Sequence, residues 1–439
     1  MISAQSMRRA IERGAKPTYR GRVKRVAGVL VEASGIPVPQ GGMCRIDRGP
    51  LGMIDAEAVG FDGTSTLLMP HGDVAGIAPD QAVVSLDRQF TVHASPALLG
   101  RVLDGFGLPL DGGPELPRSD HRPARANAPL PGERLPIDTP LTTGVRAVDG
   151  LLTIGKGQRL GIFAGSGVGK STLLGQITRG TDADVIVVCL VGERGREVQD
   201  FLDQVLGPEG RKRSVLIAAT SDRPPIERLS APFTAVTAAE AFRDAGLNVL
   251  LVMDSVTRFA AASREVGLAV GEPPTVRGYP PSFFATVPKL IERMGRTTKG
   301  TITGLLTVLL DGDDVNDPVG DTLRGLLDGH LVLSRDLAQA GHFPAVDVLM
   351  SLSRLMDGLA SSEHIANARS LRADMAAYRS GRDLIDIGAY KPGANPALDR
   401  AVLRMPVIEA YLQQETSEMC PLAETLDMLG MVATAGNVN

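Results

Sequence analysis

The stretch Arg159-Leu-Gly-Ile-Phe-Ala164-Gly165-Ser166-Gly167-Val168-Gly169-Lys170-Ser171-Thr172-Leu-Leu174 decides how the rest of the chain is read. An apolar run predicts a strand, a glycine-rich loop comes next, and a helix is expected from there to about Arg179. Glycines let the backbone curl until successive N–H groups point inward, where they bond phosphate oxygens. The helix adds the positive end of its dipole. In such a P-loop Lys170 spans the β- and γ-phosphates of a nucleotide, and the Ser171 hydroxyl completes the shell of a Mg²⁺ ion. Gly165, Ser166, Gly167, Val168, Gly169 and Thr172 form the rest of the expected cradle. The first position of the strict pattern is Ala164 instead of glycine, the smallest possible replacement. A plain glycine turn beside a surface lysine would not need a strand before it and a helix after it.

An acid is also needed at the end of a neighbouring strand to hold the metal's water shell. Asn248-Val-Leu-Leu-Val-Met-Asp254 supplies it, with Gly246 placed to cap the preceding helix. Asp254 is therefore expected at the metal, although a buried strand ending in Asp is more often a helix cap. Hydrolysis also needs a group that polarises water in line with the γ-phosphorus. The run Val185–Val191 reads as another buried strand and emits Gly192-Glu193-Arg194-Gly195-Arg196-Glu197. By physical reasoning alone Glu193 and Glu197 have similar claims. Glu197 suits the bland role of an acid in a helix's first turn, ahead of Val198, Phe201, Leu202 and Val205.

Composition frames these sites. The chain has 439 residues, 43% apolar and 22% charged, which is the balance of a globular protein of roughly three domains. A net charge of −4 argues against a generally basic nucleic-acid binder. No apolar run approaches the roughly 18 residues of a membrane span, and no secretory signal is visible. Cys44, Cys189 and Cys420 are an odd, scattered set, which points to a reduced cytosolic setting.

Four units are expected along the chain. Residues 1–20 form a basic segment for docking a partner; up to Arg25 the bases outnumber the single acid Glu12 by 7. Residues 21–95 read as a small β-barrel of short runs such as Val26–Val31, Met43–Ile46, Thr66–Met69 and Ala82–Leu86, with a turn at Asp62-Gly63. Its few aromatics, Tyr19, Phe61 and Phe90, favour an assembly role over nucleic-acid binding. Residues 96–350 alternate strands and helices around the P-loop and include a Pro/Gly-rich linker at 109–140. Residues 351–439 read as helical, with Ala368, Leu371, Met375 and Tyr378 on one face and Leu398, Val402 and Met405 on another.

The motifs Ala164–Thr172, Gly192–Glu197 and Leu251–Arg258 resemble those of the hexameric ATPases related to the rotary ATP synthase β subunit. Gly278-Tyr-Pro-Pro-Ser-Phe-Phe-Ala285, Ile291-Glu-Arg-Met-Gly295 and Asp328-Gly-His-Leu-Val-Leu-Ser-Arg335 are similar to the flagellum-specific ATPases of type III protein export. The resemblance implies an α/β fold: a RecA-like P-loop ATPase core, an N-terminal small β-barrel and a C-terminal helical domain. It also implies that Glu193 is the catalytic glutamate, that Arg194 lies near the γ-phosphate, and that Arg354 is an arginine finger given to the neighbouring subunit. In ATP synthase β an aromatic stacks on adenine at the position that the resemblance places on Ile365, which offers no ring.

The activity implied by this resemblance is Mg²⁺-dependent ATP hydrolysis by a homohexamer energising export at a membrane gate. Expected partners are a dimeric regulator on the basic segment, a coiled-coil stalk in the ring, and export substrates with their chaperones. The protein is expected in the cytoplasm, peripheral to the inner-membrane export apparatus, with the Gly278–Pro281 loop, which carries Tyr279, a candidate for facing the pore. A virulence-secretion ATPase is the nearest alternative. An RNA-dependent helicase of the transcription-termination type is further off.

Overall fold

The computed structural model describes residues 19–117, 119–310 and 317–435. The basic segment expected at 1–20 therefore lies almost wholly outside the described residues.

Six strands, Arg20–Ala27, Leu30–Ser34, Gly42–Asp47, Met53–Asp62, Ser65–Pro70 and Ala82–Gln89, close into a barrel. Alternating residues such as Val23, Val31, Cys44, Ile46, Ala56 and Leu68 fill its interior. The run Val26–Val31, read as one strand, is in fact a hairpin. Ala27 pairs with Leu30, and Gly28 takes a φ of 58°, which closes the turn between them. The Asp62-Gly63 turn is present, with Asp62 opposite Ser65.

The core is a sheet whose order is Leu352–Ser353, Gly329–Val332, Arg159–Ala164, Thr301–Leu309, Asn248–Asp254, Val185–Val191, Ser214–Ala219 and Val102–Asp104. All neighbours are parallel except the edge strand Leu352–Ser353, and Gly295–Arg296 adds a short antiparallel pair to Thr301–Leu309. Parallel strands buried on both faces read as unbroken apolar runs, which is why Val185–Val191 has no polar residue. Helices Pro225–Asp244, Val256–Ala269 and Pro281–Ile291 cover one face through Ile226, Phe242, Phe259 and Phe283. Helix Lys170–Gly180 and the C-terminal helices cover the other through Leu174, Ile177, Leu371, Ile408 and Leu429. Gly246, at φ 93°, ends the helix Pro225–Asp244 in the left-handed conformation.

The segment 109–140 is more than a spacer. His121–Pro123 pairs with Thr91–His93, the Arg125 guanidinium meets buried Glu57 of the barrel, and Arg134 donates to the Met294 carbonyl. These contacts tie barrel, linker and core together.

The C-terminal helices are Ser362–Asp386, Pro396–Leu412 and Leu422–Thr434. Ala368 and Leu371 are buried, but the second buried face runs through Leu398, Ala401, Arg404 and Ile408, not through Val402 and Met405. The sequence pattern hid this because an arginine occupies a core position. Arg404 is buried because Asp374 of the facing helix pairs with it and the Val432 carbonyl accepts from Nη2 at 2.9 Å. Tyr279 lies in the Gly278–Pro281 loop. Its ring is 8% exposed, lies against Phe283, and has Arg264 at 5.2 Å, so it packs inward in this chain.

Candidate active site

Four strand ends lie along one edge of the sheet: Ala164 pairs with Leu309, Met253 beside Asp254 pairs with Leu306, and Asp254 pairs with Leu190 beside Val191. In a doubly wound sheet that carboxyl-end edge is where loops gather into a ligand crevice. The cleft here measures about 640 Å³. Gly165, Ser166, Gly167, Gly169, Lys170, Ser171 and Thr172 form one wall, and Glu193, Arg194, Glu197, Ser221 and Arg258 form the other. A larger cleft of about 990 Å³ between barrel and core is lined by residues that include His71, Phe106 and Glu227 and by none of the P-loop.

The loop's glycines are required where they stand. Gly167 and Gly169 have φ of 78° and 91°, and Gly169 caps the helix Lys170–Gly180. A Cβ at Gly167 would meet nothing within 4 Å, so its backbone faces open space. Val168 is buried and anchors the loop, whereas Ser166, Ser171 and Thr172 are exposed to the cleft.

Lys170 reaches across the neighbouring strand. Its Nζ bonds Asp254 Oδ1 and lies 4.0 Å from Glu193 Oε1. Thr307, at the centre of this arrangement and fully buried, places Oγ1 2.7 Å from the same Asp254 oxygen. Glu193 is held with its main-chain carbonyl accepting from Ser221 N–H at 3.0 Å. Burial first, then the hydrogen-bonded Glu197 and the nearby Asp254, push the Glu193 carboxyl up to about 7, against the opposing pull of Lys170. Glu197 sits in the first turn of helix Gly195–Asp200, beside the cleft but exposed.

Not every expected residue is here. Arg354 comes just after the edge strand Leu352–Ser353; it is exposed, its Nη2 donates to the Arg324 carbonyl at 3.1 Å, and it takes no part in the lining of its own chain's cleft. Ile365, in the first turns of helix Ser362–Asp386, is likewise not a cleft residue. The aromatic at the P-loop is Phe343: a Cβ added at Gly169 would come within 3.4 Å of its ring, which is 39% exposed. Sequence reasoning misses Thr307, Ser221, Arg258 and Phe343. Thr307 carries a signal, as a hydroxyl near the end of an apolar strand beside the Asp254 strand. Phe343, 173 residues past Lys170, is brought back only by tertiary folding.

The strand-loop-helix cradle, the acid on a nearby strand and the carboxyl opposite define a P-loop nucleotide site in an ATP-synthase-like core. A family model described as ATP synthase alpha/beta family, nucleotide-binding domain matches residues 144–353, and one described as T3SS EscN ATPase C-terminal domain matches 360–430. The flagellum-specific ATP synthase of Bacillus subtilis is 49% identical over 93% of this chain and 94% of its own length. That of Salmonella typhimurium is 48% identical over 94% and 93%, and the type 3 secretion system ATPase of Xanthomonas euvesicatoria is 46% identical over the same shares. The assembled ATPase EscN of the enteropathogenic E. coli type III secretion system superposes with a TM-score of 0.89 at 45% identity, covering 94% of this chain and all of that one. EscN in complex with its central stalk EscO superposes at 0.87, with 44% identity and the same coverage. This chain belongs to the family of flagellum-specific ATP synthases and type 3 secretion ATPases.

Proposed function

We propose that the protein hydrolyses Mg²⁺-bound ATP as a homohexamer and thereby energises flagellar type III protein export. The observation that carries the chemistry is the Glu193 carboxyl standing 4.0 Å from Lys170 across the P-loop cleft. Gly165 to Thr172 bind the phosphates through loop amides, Lys170 bridges β and γ, and Ser171 with Asp254 would hold the ion. The fit rests on the donor set: a cleft-facing hydroxyl at Ser171, and the Asp254 carboxyl oriented by Lys170 and Thr307. Magnesium, when bound, neutralises charge on the β- and γ-oxygens.

Glu193 accepts a hydrogen bond from the attacking water and aims it at the γ-phosphorus, and Arg194 lies beside the γ-phosphate. Phe343 gives the base an apolar face that Ile365 does not. Arg354 completes the site of the adjoining subunit, in keeping with its exposure and its absence from its own cleft. Such a finger is worth about 10³–10⁵ in rate.

The division of labour runs over four units: 1–20 docks a dimeric regulator, 21–95 builds the ring, 96–350 hydrolyses and 351–439 transmits motion. A coiled-coil stalk occupies the ring, as the complex of EscN with EscO suggests. Export substrates, chaperones and a membrane gate are the remaining partners, with the ATPase in the cytoplasm at the inner membrane and no nucleic acid involved. No described helix is long and apolar enough to cross a membrane.

The test is phosphate release by wild type and Glu193→Gln, with and without RNA, beside nucleotide binding. Glu193→Gln is expected to bind ATP within a fewfold of wild type and to lose at least about 100-fold in turnover. Unchanged turnover would reject the role of Glu193, and RNA-stimulated turnover would reject the export reading.

A further inference from the structure

We propose that Thr307 is a positioning residue: its hydroxyl, by holding Asp254 Oδ1, sets the orientation of the carboxylate that holds the metal. This rests on the reading of Asp254 given above. The strand Thr301–Leu309 runs parallel between the P-loop strand and the Asp254 strand, with Leu306 opposite Met253. Thr307 is one step further on, level with Asp254. Its neighbours Leu305, Leu306 and Val308 are apolar and buried, and Thr307 itself is fully buried.

A buried hydroxyl needs a partner, because burial strips it of water and leaves an unpaired hydroxyl at a cost to folding. Thr307 has one proton to give. Asp254 Oδ1 lies 2.7 Å from Oγ1 and the Met253 carbonyl 3.3 Å, so the carboxylate is the acceptor. Lys170 Nζ bonds the same Oδ1. Two donors on one oxygen fix the rotation of the carboxylate. When nucleotide arrives, Lys170 is drawn toward the phosphates, and Thr307 is then the contact that keeps Asp254 in place. A threonine kept only for its β-branched fit to a strand would do as well as valine. That difference is measurable.

The experiment compares Thr307→Val, Thr307→Ser and Asp254→Asn as full chains. A fluorescent ATP analogue is titrated with and without Mg²⁺, and thermal unfolding is monitored in parallel. Hydrogen-bonded partners of metal-holding groups typically matter by about 10–100-fold in metal affinity. Thr307→Val is expected to raise the Mg²⁺ concentration at half-saturation about tenfold, with Mg²⁺-free binding and Tm little changed. Thr307→Ser should stay within about twofold of wild type. If Asp254→Asn shifts the Mg²⁺ requirement but Thr307→Val does not, the positioning role is overturned and the metal role of Asp254 stands. If neither shifts it, both fall. Equal loss by Thr307→Val with and without Mg²⁺ also overturns the proposal. Should Thr307→Val fail to fold, Thr307→Cys, which keeps the volume and weakens the donor, is judged by the same comparison.

Discussion

At the scale of single residues, the cleft places one carboxyl in an environment that sets its charge near neutral pH. Burial and the adjacent acids hold Glu193 at about 7, above the ordinary 4.5. A water-orienting carboxylate works only when ionised. Turnover should therefore rise with pH along an acidic limb centred near 7 and level off above it, with the limb absent from the residual activity of Glu193→Gln. A wild-type profile flat from pH 5 to 8 would contradict the assignment. Glu193 was legible because a strand leading at once into Gly-Glu-Arg is a local pattern. Its choice over Glu197 was not legible from local physics. It needed the family resemblance, and the structure then places Glu193 nearer Lys170 and leaves Glu197 on the exposed helix start.

Among the elements, the loop after Val102–Asp104 packs against helix Pro225–Asp244 so closely that a Cβ at Gly105 would lie 2.5 Å from the Glu227 carbonyl oxygen. Glu227 is drawn into that contact, where the Gly105 N–H donates to its Oε1 at 3.3 Å. Burial, with Asp104 nearby, pushes its carboxyl up to about 7. Because the folded value exceeds the ordinary 4.5, this group favours folding fully below about 4.5, and that contribution is lost as pH rises through about 7. Glu227→Gln should therefore gain stability relative to wild type between those limits, by an amount on the order of 2–3 kcal/mol at most. Tm measured from pH 4.5 to 8 checks it; parallel curves for the two proteins would contradict it. The P-loop strand and helix could be read directly because every determinant lies within sixteen residues of sequence. The barrel was harder. Gly28 breaks an apolar run into a hairpin, and only pairing partners distinguish that from one strand. Arg404 shows the same limit in a helix: its core position depends on Asp374, 30 residues away.

On the scale of the whole molecule, the two halves of the proposed site lie on separate parts of one chain. The cleft with Lys170, Asp254 and Glu193 lies at the carboxyl edge of the sheet, and Arg354 projects from the segment after its edge strand. The proposed division between subunits was legible only through resemblance, since nothing local in Ser351–Arg354 marks a finger. The contact of Phe343 with the site was not legible, because it arises from the chain's return past the P-loop; Thr307 carried the signal of a hydroxyl near a strand end, but its contact with Asp254 follows from strand order. The division between subunits can be tested by mixing. Glu193→Gln and Arg354→Ala are each expected to release phosphate at least about 100-fold more slowly than wild type. Assembled together, they form some interfaces in which an intact Glu193 meets an intact Arg354, and phosphate release should recover to a sizeable fraction of the wild-type rate. A mixture no faster than its two components, or an Arg354→Ala protein as fast as wild type by itself, would contradict a site built by two neighbours.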